Sequence, residues 1–475
     1  MPVHQNCYRC VALLSVSLMS ACASLPPRVP IDPTQTARAF GERRLDGVLP
    51  EVAPAASGWG SDEWLQAALL LNPELAEARA TALAAAAAQR TAAERPNPNL
   101  NLFGEYVSAA AGSAAWLYGL SLDFLLPRAG ERARLMAGAA LETEAADSDV
   151  AETIWQVRSK VQQALLDAAY ARDETALLKT VVTDRGALLA SNRALADAGE
   201  IAKSETLVQD LELARARQRL TRALALGADA EARLAAAVGI SVVALQGIPL
   251  RWDDWAHIDA LAPAPASEWR AAALVGRPKL IHALREYDLS ELALQNEVAK
   301  RWPQFHVTPG YAWDQSGLRA DTLDDTLHDT LHDNELGVSF ELPVFNRHEG
   351  PIGEAMARRA LAGRHLAAVQ ADIFEEIERA ERAWPQARQA WRDASGADAL
   401  AERQHDAEKR AFVAGGSDRP TLLVAQLAAT EAKLLSLEAA YDAQLAFAAL
   451  ENAYRRPLAN DKRVVASSAR AAGRS

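Results

Sequence analysis

Four stretches of the chain alternate between apolar and polar residues with a period of two. In NLNLFGEYVS from Asn99, Leu100, Leu102 and Tyr106 fall on one side and Asn99, Asn101 and Glu105 on the other, with Phe103 as the exception. In WLYGLSLDFLL from Trp116, Tyr118, Leu120, Leu122 and Phe124 oppose Gly119, Ser121 and Asp123. Further on, Phe305, Val307, Tyr311 and Trp313 oppose Gln304, His306 and Thr308, and then Leu336, Val338, Phe340 and Leu342 oppose Glu335, Gly337, Ser339 and Glu341. Period two over about ten residues, with Tyr and Trp near the ends, predicts strands of membrane-crossing length, apolar outside and polar inside. Half-buried soluble hairpins would carry the same pattern.

The rest of the chain reads as helix. From about Arg128 to Asp197 the only interruptions are Gly130, Gly138 and Gly186, and Val150, Ile154, Val157, Val161, Ala164 and Ala168 recur at 4-3-4-3-4 spacing. That is a heptad seam, on a helix of about 105 Å at 1.5 Å per residue. The chain turns at Gly199, returns to about Gly239 and crosses the Pro- and Trp-rich segment IPLRWDDWAHIDALAPAPAS. A second long helix begins near Pro351, turns at Gly415 and Gly416, and returns to about Tyr454.

The two halves are copies of each other. Pro73 matches Pro278 and Pro98 matches Pro303 at an offset of 205. GLSLDFLLPRAGE from Gly119 matches GVSFELPVFNRHEG from Gly337 at 218, and AGEIAKSETLV from Ala198 matches AGGSDRPTLLV from Ala414 at 216. Ordered landmarks at nearly constant offset indicate an internal duplication. The chain then divides into an export signal at 1–21, an N-terminal segment at 22–60, a first repeat at 61–266, a second at 267–455 and a structureless tail at 456–475. The expected class is mainly α with membrane β, with four strands per chain. Four strands cannot close a barrel, and an open edge in lipid leaves amides unpaired at several kcal/mol each. The chain is therefore expected to oligomerise around a shared barrel.

Composition agrees with long helices: Ala dominates, half of the 475 residues are hydrophobic, and aromatics are 6%. Residues 1 to 21 hold one charged side chain, Arg9, and a 12-residue apolar run from Cys10, too short to span a bilayer. The run ends in LMSAC, which resembles a bacterial lipobox and implies lipidation at Cys22. Cys7 and Cys10 would leave with the signal, so their C-x-x-C spacing is no redox or zinc motif. The mature net charge is -12 minus the +1 of Arg9, or -13, which argues against nucleic acid.

The duplicated plan, together with NPEL, RPNPNL, GLSLDFLLP, AGEI and the lipobox, resembles the TolC-type outer membrane efflux proteins. The resemblance implies a homotrimer with one 12-stranded barrel in outer membrane lipid, continued by a periplasmic coiled-coil barrel. It implies docking on a periplasmic adaptor and an inner-membrane pump of RND type. RRLDGVLPE from Arg43 and the anchor are most similar to the cation-efflux branch. The resemblance further implies that Gly199 and Gly415 mark the tips gripped by the adaptor. It also makes Glu205, six residues after the first tip glycine, a candidate gate, although its counterpart in the second copy is Thr421. If the polar strand faces line the lumen, Glu105, Asp123, Glu335 and Glu341 are its acids.

The segment DTLDDTLHDTLHDN, from Asp321, is three near-identical tetrapeptides that place His328 and His332 four apart among carboxylates. The repeat accounts for 12 of the 13 residues by which the offset grows from 205 to 218. It is expected to be an expanded, solvated hairpin link, because longer loops close at small entropic cost, and not a metal site. Nine His, no H-E-x-x-H, no G-x-S-x-G and no P-loop point away from an enzyme and imply no cofactor. The function expected is passive export. A periplasmic coiled-coil lipoprotein scaffold and a type I secretion exit duct are the alternatives.

Overall fold

The computed structural model describes residues 30–45, 58–108, 114–252, 255–261, 267–314, 331–342 and 344–458. Residues up to Arg44 form one compact unit and those from Leu45 another. In the first, α1 (Pro33–Gly41) is capped by the Asp32 carboxylate, which accepts from the Thr34 amide at 2.9 Å.

The second unit repeats one plan. The first copy runs α2 (Ser61–Leu71), α3 (Pro73–Ala93), β1 (Asn99–Ser108), β2 (Ala114–Leu126), α4 (Glu131–Asp197), α5 (Lys203–Val238) and the short α6 (Val242–Leu245). After a 3-10 turn at Ile258–Ala260 come α7 (Ser267–Gly276), α8 (Pro278–Ala299), β3 (Phe305–Asp314), β4 (Leu331–Phe340), α9 (Glu349–Val413) and α10 (Arg419–Tyr454). The long helices of 67 and 65 residues span about 100 Å each. Each pairs lengthwise with the helix that follows it, and α10 also lies along α4. Among the described residues no helix is long and apolar enough to cross a membrane.

All six residues of the heptad seam are buried. Val150, Ile154, Val157, Val161 and Ala164 pack with Trp59, Trp64 and Leu65 and with Leu234 and Val238 at the end of α5. The second copy builds its counterpart from Val369, Ile373, Ile377, Ala380 and Trp384 of α9, with Phe447, Leu450 and Tyr454 of α10.

The joints where short and long helices meet show the duplication at atomic level. Asn72 precedes α3; its side chain accepts from the Leu75 amide at 3.0 Å and donates to the Ala237 carbonyl at 2.7 Å, tying the start of α3 to the end of α5. Gly239 ends α5 at φ +88, and a Cβ there would meet the Leu71 carbonyl oxygen at 2.6 Å. The same offsets, 205 and 216, carry Asn72 to Arg277 and Gly239 to Arg455. Arg455 ends α10 in the same left-handed region, at φ 49. Here charges replace the compact contact: buried Arg277 pairs with Glu376 at 2.7 Å, and Arg455 with Glu152.

The strands form one antiparallel sheet in the order β1-β2-β3-β4. β4 starts four residues before the alternating pattern and stops two before its end, because its length follows β3 rather than its own hydropathy. Leu331 pairs with Asp314 and Phe340 with Phe305, while Pro303 lies just ahead of β3, so residue 341 has no partner. The last two residues of the tetrapeptide repeat, Leu331 and His332, with Asp333 and Asn334 after them, are thus strand, whereas 321–330, with His328, lie outside the described residues. Residues 456–458, expected to begin a structureless tail, pack on the body: Arg456 lies over the Trp269 ring and Leu458 is buried.

Candidate channel wall and helix tips

Register sorts the sheet into two faces. Leu100 pairs with Leu122, Leu102 with Leu120, Leu120 with Tyr311, Phe124 with Val307, and Val307 with Val338. Leu100, Leu102, Leu120, Leu122, Phe124 and Val338 are exposed, Leu102 at 73%, while Val307 and Tyr311 are half-buried. Tyr118 stacks on Trp313 with ring centroids 5.4 Å apart, at the β1–β2 link end of the sheet. Among the described residues no other element covers this apolar face, and β1 and β4 leave one open edge each.

The opposite face is polar. It carries Glu105, Ser121 and Asp123, Thr308 and His306, and Glu335, Gly337 and Ser339. Phe103 falls on it too, and the register explains the exception: its ring covers Gly119, where a Cβ would lie 2.6 Å from the ring. Glu105 and Glu335 are exposed. Asp123 is held, with both carboxylate oxygens 3.1 Å from His306 Nδ1 and Thr308 Oγ1 donating at 3.4 Å. His306 is therefore a partner of Asp123 that sequence reading left unassigned. Glu341 lies one residue past the end of β4, where no β3 residue is left to pair with it.

At the far ends of the long helices the two tips share one geometry. Gly199 takes φ +79 and donates to the Ala196 carbonyl at 3.1 Å, while the Glu200 amide reaches the Leu195 carbonyl at 2.9 Å. Gly415 takes φ +77 and donates to Phe412 at 3.0 Å, while the Gly416 amide reaches Ala411 at 2.9 Å. Both are Schellman caps, which place the residue after the cap in the left-handed region. A Cβ would meet nothing at either glycine, so conformation alone demands them. Replacing either with Val should cost about 1–2 kcal/mol, read as earlier proteolytic nicking at that tip and unchanged nicking at the other.

The tips differ in the helix that follows. The Asp418 carboxylate accepts from the Thr421 amide at 2.8 Å, capping α10, and its hydrogen bonds to Thr421 hold its pKa below the usual carboxylate range. A depressed value contributes stability above the unfolded carboxylate pKa of about 3.9 and loses it as pH falls through the lower folded value. The first copy has Ala202 at this position and no side-chain cap. Glu205 lies exposed in the first turn of α5, and Thr421 stands at its place in the other tip. Cys22 lies outside the described residues.

Near the mid-height joints, a cavity of 510 Å³ is lined by residues including Ser159, Gln162, His257, Gln444, Glu451 and Asn452. Beside it Arg158 of α4 pairs with Glu451 of α10 at 2.9 Å, both side chains almost fully buried.

No family model matches the sequence, and no curated protein matches it. Solved structures do. The outer-membrane channel OprN superposes with a TM-score of 0.67 at 15% identity, over 92% of this chain and 99% of that one. The CmeC outer membrane channel of Campylobacter jejuni gives 0.66 at 14% identity, over 94% and 97%. CusC, studied for its folding and transmembrane channel formation, gives 0.62 at 16% identity, over 91% and 99%. The chain therefore has the fold of these channels: a body of long paired helices carrying a membrane-type antiparallel sheet.

Proposed function

We propose that the chain is the outer membrane exit duct of a tripartite efflux pump, passing substrate passively from the periplasm to the exterior. Three copies would share one 12-stranded barrel. The observation that carries this reading is the sheet: one face apolar, exposed and uncovered among the described residues, the other polar, with two open edges. In water such a face is an interaction surface, and in lipid such edges must be paired. Closure by two further copies pairs the edges, and the lipid around the closed barrel covers the apolar face. A soluble scaffold would need to bury the apolar face, and among the described residues no helix lies on it.

The rest of the assembly follows from this reading. The Schellman tips at Gly199 and Gly415 would meet a periplasmic adaptor, with an RND-type pump beneath it, and Glu205 would ring the entrance. Cys22 would anchor the chain in the outer membrane, which the mass of the mature N-terminus tests: an unmodified residue there contradicts the anchor. With Glu105, Asp123 and Glu335 on the polar face, a trimer sets 3 × 3 = 9 carboxylates in the lumen, which suits cationic cargo, heavy-metal ions included. In planar bilayers under a KCl gradient the wild type should prefer cations. Neutralising Glu105 and Glu335 together should shift the reversal potential toward anions more than Asp123→Asn, since His306 already faces that carboxylate. Anion preference in the wild type would place the other face toward the pore.

A further inference from the structure

Away from the sheet and the tips, three helices bring two histidines to one carboxylate. His282 and Glu286 stand four apart on α8, so they share a face of the helix. His365 comes from α9, where a Cβ on Gly363 would lie 3.5 Å from the Tyr287 ring, one residue from Glu286. Glu286 turns Oε1 toward His282 Nε2 at 3.6 Å and Oε2 toward His365 Nε2 at 3.8 Å. Both separations are too long for hydrogen bonds. They approach the spacing of about 3.3–3.4 Å that two ligands show around a tetrahedral ion with bonds of about 2.0–2.1 Å.

The far side of His282 is what an ordinary ion-pair cluster lacks. Its Nδ1 lies 2.8 Å from the Asp149 carboxylate and 3.4 Å from the Ala145 carbonyl, both on α4. Both neighbours are acceptors, so Nδ1 is the donor on that side and Nε2 is the ring nitrogen turned to Glu286. A carboxylate that orients a histidine in this way is the usual backing of a metal ligand. Arg285, next to Glu286, is already engaged by Glu144 at 2.7 Å and Asp288 at 3.0 Å.

We propose that His282, Glu286 and His365 form a binding site for a divalent transition-metal cation of the zinc type, with Asp149 positioning His282 and water completing the coordination. Two imidazoles and one carboxylate with an open fourth position suit Zn²⁺. As the side chains stand, no group of three or more such residues among those described is set to hold an ion. Closure takes rotation of Glu286 and His365, both about half exposed. The site rests on contacts between helices and is independent of the channel reading.

The test is Zn²⁺ titration of the full-length protein in detergent, by calorimetry, with Co²⁺ absorption as a second probe. His328→Ala/His332→Ala serves as the background, so that the Asp/His-rich repeat adds no sites. The expected result is one saturable site per chain and a Co²⁺ spectrum of tetrahedral type. Asp149→Asn should weaken Zn²⁺ binding about 10–100-fold, and His282→Ala and His365→Ala at least as far, with the helical circular dichroism unchanged. No saturable binding in the background, or equal affinity in His282→Ala and His365→Ala, would overturn the proposal.

Discussion

Glu451→Ala should destabilise the helical body by about 3–5 kcal/mol, as expected when one partner of a buried ion pair is removed. Glu451 and Arg158 have side-chain exposures of 3% and 1% and meet at 2.9 Å. The Glu451 carboxylate also accepts from the Leu458 amide at 2.6 Å, and Arg158 donates to Gln162 at 2.8 Å and lies against the Trp155 ring. Without the carboxylate a buried guanidinium loses its partner at 2.9 Å, and the segment after α10 loses its anchor. Since Arg158 belongs to the first copy and Glu451 to the second, the damage falls on the joint between repeats. Arg158→Met/Glu451→Leu should recover most of the loss, because two apolar groups of similar volume often replace a buried pair at little or no cost. Thermal loss of the helical circular dichroism signal reads this out. The single variant should melt well below the wild type and the double variant near it; a single variant that melts with the wild type would mean that the pair is not closed off from water.

Leu120→Arg and Leu122→Arg should each cost about 2–4 kcal/mol of insertion if these residues sit near the bilayer midplane. Both lie on the apolar face, Leu120 between Leu102 and Tyr311, and Leu122 opposite Leu100. Ser121→Arg, between them on the polar face, should insert normally and change only the conductance. Folding into lipid vesicles, followed by the heat-modifiable mobility of the assembled form, separates the outcomes. Equal tolerance at all three positions would mean that the sheet does not meet lipid.

What the sequence revealed depended on how local the cause was. The heptad residues Val150 to Ala168 were legible because a period of seven on a helix makes one buried stripe whatever packs against it, and all six are buried. Strand faces were legible for the same reason, since a pleat alternates regardless of partner. Strand ends were not: β4 takes in His332 and Asn334 and leaves out Glu341 because β3 decides where pairing starts and stops. Nor could His306 be matched to Asp123, as the register between β2 and β3 joins the two copies and is encoded in neither. The joints show the same limit. The offsets align Asn72 with Arg277 and Gly239 with Arg455, yet only the fold shows that a compact hydrogen-bonded joint in one copy is an ionic one in the other.

Cysteine crosslinking across the open edges tests the shared barrel most directly. In one chain β1 and β4 are separated by two strands, about 14 Å at 4.7–4.9 Å per strand, well beyond the Cα separation of about 4.4–6.8 Å that a disulfide allows. A bond between them must therefore join different chains. Leu102→Cys, combined in turn with Leu336→Cys, Val338→Cys and Phe340→Cys, scans one apolar face for the pair that comes into register. The account predicts that at least one combination gives a covalent ladder ending at three chains on a non-reducing gel, with each single variant remaining monomeric. No ladder from any combination, or one that continues past three, would contradict a barrel closed by three copies.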